Sequence, residues 1–123
     1  ELMRKFSPTN DELYHIVNRG TEKRDIFLSK NDYERFIVNA ILFNTIKQNS
    51  VKNLSRYDIS SACQKIPDDP LVKIHAFALM PNHFHLVIEQ VVDNGIARFM
   101  HKLEMGYSKY FNKPFSFSLP GTP

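Results

Sequence analysis

Two histidines flanking one phenylalanine, His83-Phe84-His85, form the most chemically loaded triplet of the 123-residue chain. The run Pro81-Asn82-His83-Phe84-His85-Leu86-Val87-Ile88-Glu89 places a turn-forming pair ahead of an apolar, alternating segment, which reads as a β-strand. Alternate side chains of a strand share a face. His83, His85, Val87 and Glu89 are therefore expected on one side, and Phe84, Leu86 and Ile88 on the other. Side chains two apart on a strand sit roughly 6.5–7 Å from each other, so two neutral imidazoles can lean onto one divalent ion. The pattern predicts a metal-binding shelf over a sheet whose other face is core. Two half-exposed strand histidines with no ligand are the competing reading.

Other side chains could join such a site. Glu89 shares the histidine face, but lies far enough along the strand that sharing one ion is awkward. His15, on an earlier apolar run, could approach the site, or sit neutral in the core. His75 precedes an apolar strand and reads as a packed or hydrogen-bonded histidine. Arg98, Lys102, Lys109 and Lys113 fall within roughly 60° of one another on a helical wheel. With Glu104 the only acid nearby, they are candidates for phosphate contact, or else a solvated helix face. Arg19, Lys23 and Arg24 form a second, weaker basic group at the end of the first strand.

The elements that must position these residues follow from periodicity. Leu13 to Asn18 reads as a strand stopped by Arg19-Gly20. Ser29, with Asp32 three residues on, is a capping box opening a helix expected to fade near Lys47, with a stripe of Tyr33, Phe36, Ile37, Ala40 and Ile41. Residues 45–70 are polar and long for a plain connection, so they read as an inserted surface excursion with a short helix near Leu54–Gln64. A strand from Val72 to Met80 then turns at Pro81-Asn82 into the histidine strand. Asp93-Asn94 caps a last helix running to about Asn112, with Ile96, Phe99, Met100, Leu103, Tyr107, Tyr110 and Phe111 on its apolar face. Phe115 to Leu119 alternates as a short edge strand would. The order β-α-β-β-α-β predicts an α+β, ferredoxin-like sandwich over residues 1–123: an antiparallel sheet with the histidines on a central strand and the helices on the opposite face.

Composition narrows the function classes. Hydrophobic content of 42% with ten phenylalanines supports one core at this length. Sixteen Lys/Arg against thirteen Asp/Glu give a formal charge of +3, which permits a polyanionic partner. The single cysteine, Cys63, excludes an intramolecular disulfide and a Cys-rich zinc site, so a reducing cytoplasm is expected. The sequence contains no apolar run long enough for a membrane span, and neither a span nor a secretory leader is expected.

The chain resembles the single-strand tyrosine HUH transposases, above all the REP-associated branch, where HUH denotes the histidine, hydrophobe, histidine triplet. Tyr14-His15-Ile16-Val17-Asn18-Arg19-Gly20 is similar to the family's opening strand. Ile26-Phe27 with Asp32-Tyr33 and Phe36 is similar to its entry into the first helix. Ala76-Phe77-Ala78-Leu79-Met80-Pro81-Asn82-His83-Phe84-His85-Leu86 matches its signature hairpin, and Tyr107-Ser108-Lys109-Tyr110-Phe111-Asn112 its second helix. The resemblance implies metal-dependent cleavage and joining of single-stranded DNA beside a hairpin, through a 5′-phosphotyrosine. It also implies a divalent ion, magnesium or manganese, held by His83 and His85, and a homodimer.

One departure matters. In the family the nucleophilic tyrosine lies on a further helix, whereas here Lys113-Pro114-Phe115-Ser116-Phe117-Ser118-Leu119-Pro120 follows Asn112. The expectation is a chain without its nucleophile helix, as a truncated or frame-shifted product would be. Tyr107 and Tyr110 are then the weak nucleophile candidates, and their place on the apolar stripe favours packing. A DNA-hairpin-binding remnant without chemistry is the alternative function.

Overall fold

The computed structural model of the chain describes residues 7–48 and 54–111. Within them the order is β1 (Leu13–Arg19), α1 (Lys30–Leu42), α2 (Ile59–Cys63), β2 (Val72–Met80), β3 (His83–Gln90) and α3 (Gly95–Phe111). Short 3-10 turns at Thr21–Lys23 and Leu54–Arg56 complete it. The fold is α+β: a three-stranded antiparallel sheet in the order β1-β3-β2, with three α-helices. The fourth strand expected at Phe115 to Leu119, and Lys113 with it, lie outside the described residues.

β3 occupies the centre, as the alternation of its side chains requires. Phe84, Leu86 and Ile88 are fully or almost fully buried, while His83, His85, Val87 and Glu89 are half-buried on the other face. The buried set packs with Phe36 of α1 and with Phe99, Leu103 and Tyr107 of α3. Phe36 stands at 4.8 Å from Phe84 and 5.5 Å from Tyr107, ring centre to ring centre, joining sheet and both long helices in one aromatic cluster. The helices therefore cover one face of the sheet, and the histidine face is open.

α1 follows its capping box. Asp32 accepts hydrogen bonds from the backbone N–H groups of Leu28 and Ser29, at 2.7 and 3.2 Å. The helix nevertheless ends at Leu42, well short of Lys47, because Asn44 is used as a clamp. Its side-chain oxygen accepts from the N–H groups of Leu71 and Val72, and its amide donates to Val72 O at 2.8 Å. α1 also buries more than the predicted stripe. Val38 and Leu42, on a second face, pack with Ala62 of α2 in a satellite cluster that Leu54 and Tyr57 border. Arg35 donates to the backbone oxygens of Leu54 and Tyr57. Residues 54–63 are thus a cover for α1 as well as a surface excursion.

The start of α3 is also tied differently from the sequence expectation. Asn94 adopts a left-handed φ of 60° and its backbone oxygen accepts from Arg98 N–H, whereas the Asp93 carboxylate accepts from Asn10. The side chain that reaches the free helix amides is Gln90, whose oxygen accepts from Ile96 N–H at 3.0 Å. Further along, a Cβ at Gly106 would stand 2.2 Å from the Phe43 ring, so this position lets α3 lie close on the end of α1.

Candidate metal and nucleic-acid site

Strand register brings together residues far apart in the sequence. On the open face Arg19 of β1 lies opposite His83, Val17 opposite His85 and His15 opposite Val87. From β2, Met80 faces His83, Ala78 faces His85 and Ala76 faces Val87. The two alanines leave the β2 side of His85 uncrowded. Arg19 and His15 are both exposed beside the histidines.

His83 and His85 have ring centres 5.1 Å apart and planes crossed at 73°. An ion about 2.1 Å from one nitrogen of each ring places the centres roughly 5 Å apart at a bite angle near ~100°, so this separation suits a shared ion. Each ring also has its Nδ1 engaged. His83 Nδ1 lies 2.8 Å from Asn82 Oδ1, and His85 Nδ1 lies 3.0 Å from His15 Nε2. An amide oxygen only accepts, so His83 carries its proton on Nδ1 and leaves the Nε2 lone pair free. Desolvation, helped by the nearby Arg19 charge and by His85, holds the His83 pKa below the ordinary histidine value and keeps that lone pair available at neutral pH. The donor chemistry fits a divalent ion with imidazole affinity, manganese more readily than magnesium. Among the described residues no group of three or more His, Cys, Asp or Glu side chains is set to hold one, so water or phosphate oxygens would complete the coordination.

Glu89 is not part of this cluster. It accepts from His75 Nε2 at 3.0 Å, at the register irregularity between Ile74 and Ala76. Four residues along a strand span roughly 13 Å, which separates Glu89 from His85. His75 is thereby the hydrogen-bonded histidine that its position suggests.

The loop after β1 closes one end of the shelf. A Cβ at Gly20 would lie 2.3 Å from Arg24 O, so the chain can fold back here only with glycine. Gly20 N–H donates to Asn82 O, and the N–H groups of Ile26 and Phe27 donate to Pro81 O. Lys23 is held beside the hairpin turn, its backbone oxygen 3.4 Å from the Asn82 amide. Arg24 is exposed and paired with Glu22 at 3.5 Å. Arg19, Lys23 and Arg24 therefore sit at the histidine end of the sheet.

The basic residues of α3 are placed otherwise. Lys102 donates to Thr45 O at 2.5 Å and Lys47 O at 2.6 Å, and Arg98 donates to Ile46 O at 2.8 Å. These cations satisfy carbonyls of the loop after α1, on the helix side of the sheet. Lys109 is exposed on the same helix.

Tyr107 is fully buried and its hydroxyl donates to Ile26 O at 2.6 Å. Burial first, then the neighbouring Asp32 charge, pushes its phenol far above the ordinary range. Tyr110 donates to Asp32 Oδ1 at 2.8 Å; burial and that hydrogen bond raise its pKa too. Tyr14 and Tyr33 pack against the main core, and Tyr57 against the satellite. All five tyrosines of the sequence thus lie on the helix side.

Sequence reasoning passes over Asn82 and leaves His15 between the site and the core. Asn82 reads only as a turn former, although it immediately precedes His83. His15 shares the strand parity of Arg19, but only the pairing of β1 with β3 reveals what it meets.

No curated protein and no solved structure matches the chain. The family described as Transposase IS200 like matches residues 9–119, which takes in β1, both long helices and the histidine hairpin. With most of its length covered by that match, the chain belongs to the IS200-like transposase family.

Proposed function

We propose that this chain handles single-stranded, hairpin-bearing DNA in transposition, with His83 and His85 holding a divalent ion, manganese or magnesium, against a strand phosphate. The observation that carries the reading is the pair of neighbouring imidazoles on an open sheet face, each with Nδ1 engaged. When bound, such an ion polarises the phosphate and offsets the charge that develops as an oxygen attacks. Arg19, next to His83, supports a second phosphate contact, and Lys23 and Arg24 extend it along the loop. The family implies a DNA partner, and this end of the sheet offers the cations to meet it.

The family reaction through a 5′-phosphotyrosine needs a tyrosine oxygen within about 3–3.5 Å of the phosphorus. Tyr107 and Tyr110 are separated from the histidines by the sheet itself. These residues on their own therefore bind metal and hairpin DNA without forming a covalent adduct, which favours the DNA-binding reading for the chain acting alone. We also infer a ferredoxin-like topology for the domain, supported by the chain order β1, α1, β2, β3, α3 and by β3 at the centre of the described sheet. A homodimer acting in the cytoplasm completes the proposal. Its support is the exposed Phe77 and Met80 on edge strand β2, which has no Asp, Glu, Lys or Arg from Ile74 to Met80.

Manganese titration by calorimetry tests the site. Binding is expected in the parent protein, weakening only once pH falls through the depressed pKa of His83, which lies below the ordinary histidine value. His83→Ala and His85→Ala should each abolish it. Equal manganese binding by parent and both variants would remove the site from this pair. Denaturing gels of the same samples with labelled hairpin DNA should show no adduct; an adduct lost in Tyr107→Phe or Tyr110→Phe would place the nucleophile on α3.

A further inference from the structure

His15 has a contact that the two-histidine site does not require. It lies opposite Val87 and diagonal to His85, a spacing of roughly 7–8 Å that two imidazoles can bridge. Its Nε2 stands 3.0 Å from His85 Nδ1, with ring centres 5.2 Å apart and planes 28° from parallel. Rings joined nitrogen to nitrogen at this distance, edge to edge, have centres about that far apart. The contact is therefore an in-plane hydrogen bond and not a face-to-face stack. His15 is exposed, so the core role that its sequence position allows does not apply.

We propose that His15 is a positioning residue, accepting a hydrogen bond from His85 Nδ1–H and so fixing His85 in the tautomer that presents Nε2 beside His83. The proposal deepens the metal reading above and rests on it for its functional meaning. One proton lies between the two rings, and its owner decides the outcome. If His15 donated, His85 would carry its proton on Nε2 and offer no lone pair to an ion. If His85 donates, it matches His83, whose Nδ1–H is already committed to the Asn82 amide oxygen. Both rings then present Nε2, each oriented by a neighbour. Metal-binding histidines ordinarily donate their second N–H to such a partner. Asn82 and His15 are thus equivalent supports, one from the hairpin turn and one from β1. The exposed position of His15 leaves its own Nδ1–H to water.

Nitrogen-15 NMR of the imidazoles in the metal-free protein tests this directly, at a pH of about 8, above the ~6.5 of histidine in model peptides. His85 should carry its proton on Nδ1 in the parent and in His15→Gln, whose amide oxygen can accept. It should lose that preference in His15→Phe. Zinc titration of the same proteins should show affinity falling about 10- to 100-fold in His15→Phe and staying close to the parent in His15→Gln. Zinc-bound shifts should appear on Nε2 of His83 and His85. An unchanged His85 tautomer in His15→Phe would overturn the proposal, and so would a zinc-bound shift on His15, which would make it a ligand. Failure of zinc to bind any of the proteins would sink the metal reading, while the metal-free spectra would still decide what His15 does to His85.

Discussion

Tyr107 illustrates how one side chain can be chemically tempting and structurally committed. Its hydroxyl is buried and donates to Ile26 O, so the phenolate form is strongly disfavoured in the folded chain. An unfolded tyrosine ionises near pH ~10. A phenol whose folded pKa is raised stabilises the fold fully below that pH, and the contribution is lost as pH rises beyond it. Tyr107→Phe should therefore cost about 1 kcal/mol at neutral pH through the missing hydrogen bond, yet lessen the loss of stability above about pH 10. Urea unfolding at neutral and alkaline pH measures both. If Tyr107→Phe were as sensitive to alkali as the parent, the buried phenol would not be the group responsible.

Between elements, single amide side chains do much of the fastening. Gln90, at the end of β3, accepts from Ile96 N–H and donates to Pro8 O and Asn10 Oδ1, at 3.0 and 2.8 Å. It joins the sheet, the first turn of α3 and the segment before β1, and is only 2% exposed. Gln90→Leu keeps the bulk but leaves the Ile96 amide buried and unpaired, which should cost about 1–3 kcal/mol. Thermal unfolding should register this as a clear drop in melting temperature. A variant as stable as the parent would show that water or another group replaces the Gln90 oxygen. Asn44 plays the matching part where α1 hands over to β2.

Across the whole molecule, the sheet separates two kinds of surface. One face is covered over β1 and β3 by α1 and α3, with Phe77 of β2 left exposed, and the other carries the histidines with Arg19 at their side. Arg98 and Lys102 belong to the covered side, where their charge meets loop carbonyls. Phosphate binding should therefore come chiefly from the open side. Replacing Arg19 and Lys23 together by Gln should flatten the salt dependence of single-stranded DNA binding, by about 0.7 in log–log slope for each phosphate no longer neutralised. Arg98→Gln with Lys102→Gln should instead lower stability and leave that slope unchanged. Fluorescence anisotropy over a salt series separates the two pairs, and the reverse result would move the DNA to the helix face.

Much of this architecture is legible in the local periodicity of the sequence. The alternation from His83 to Glu89 set which side chains face the core, because a strand's period of two is a property of the backbone alone. Ser29 and Asp32 marked the helix start for a similar reason, since a capping box closes within one turn. The hairpin through Pro81-Asn82 was equally local, as were the stripes of α1 and α3. Tertiary structure alone decided which strand lies beside which, and in what register. That pairing sets His15 against His85 and Arg19 against His83, across long stretches of chain that no local pattern spans. It also ended α1 at Leu42, gave that helix a second buried face, and set Arg98 and Lys102 against the carbonyls of the loop after α1. A charged or amide side chain takes whichever partner the packing brings near, and the identity of that partner is written in the fold and not in the spacing.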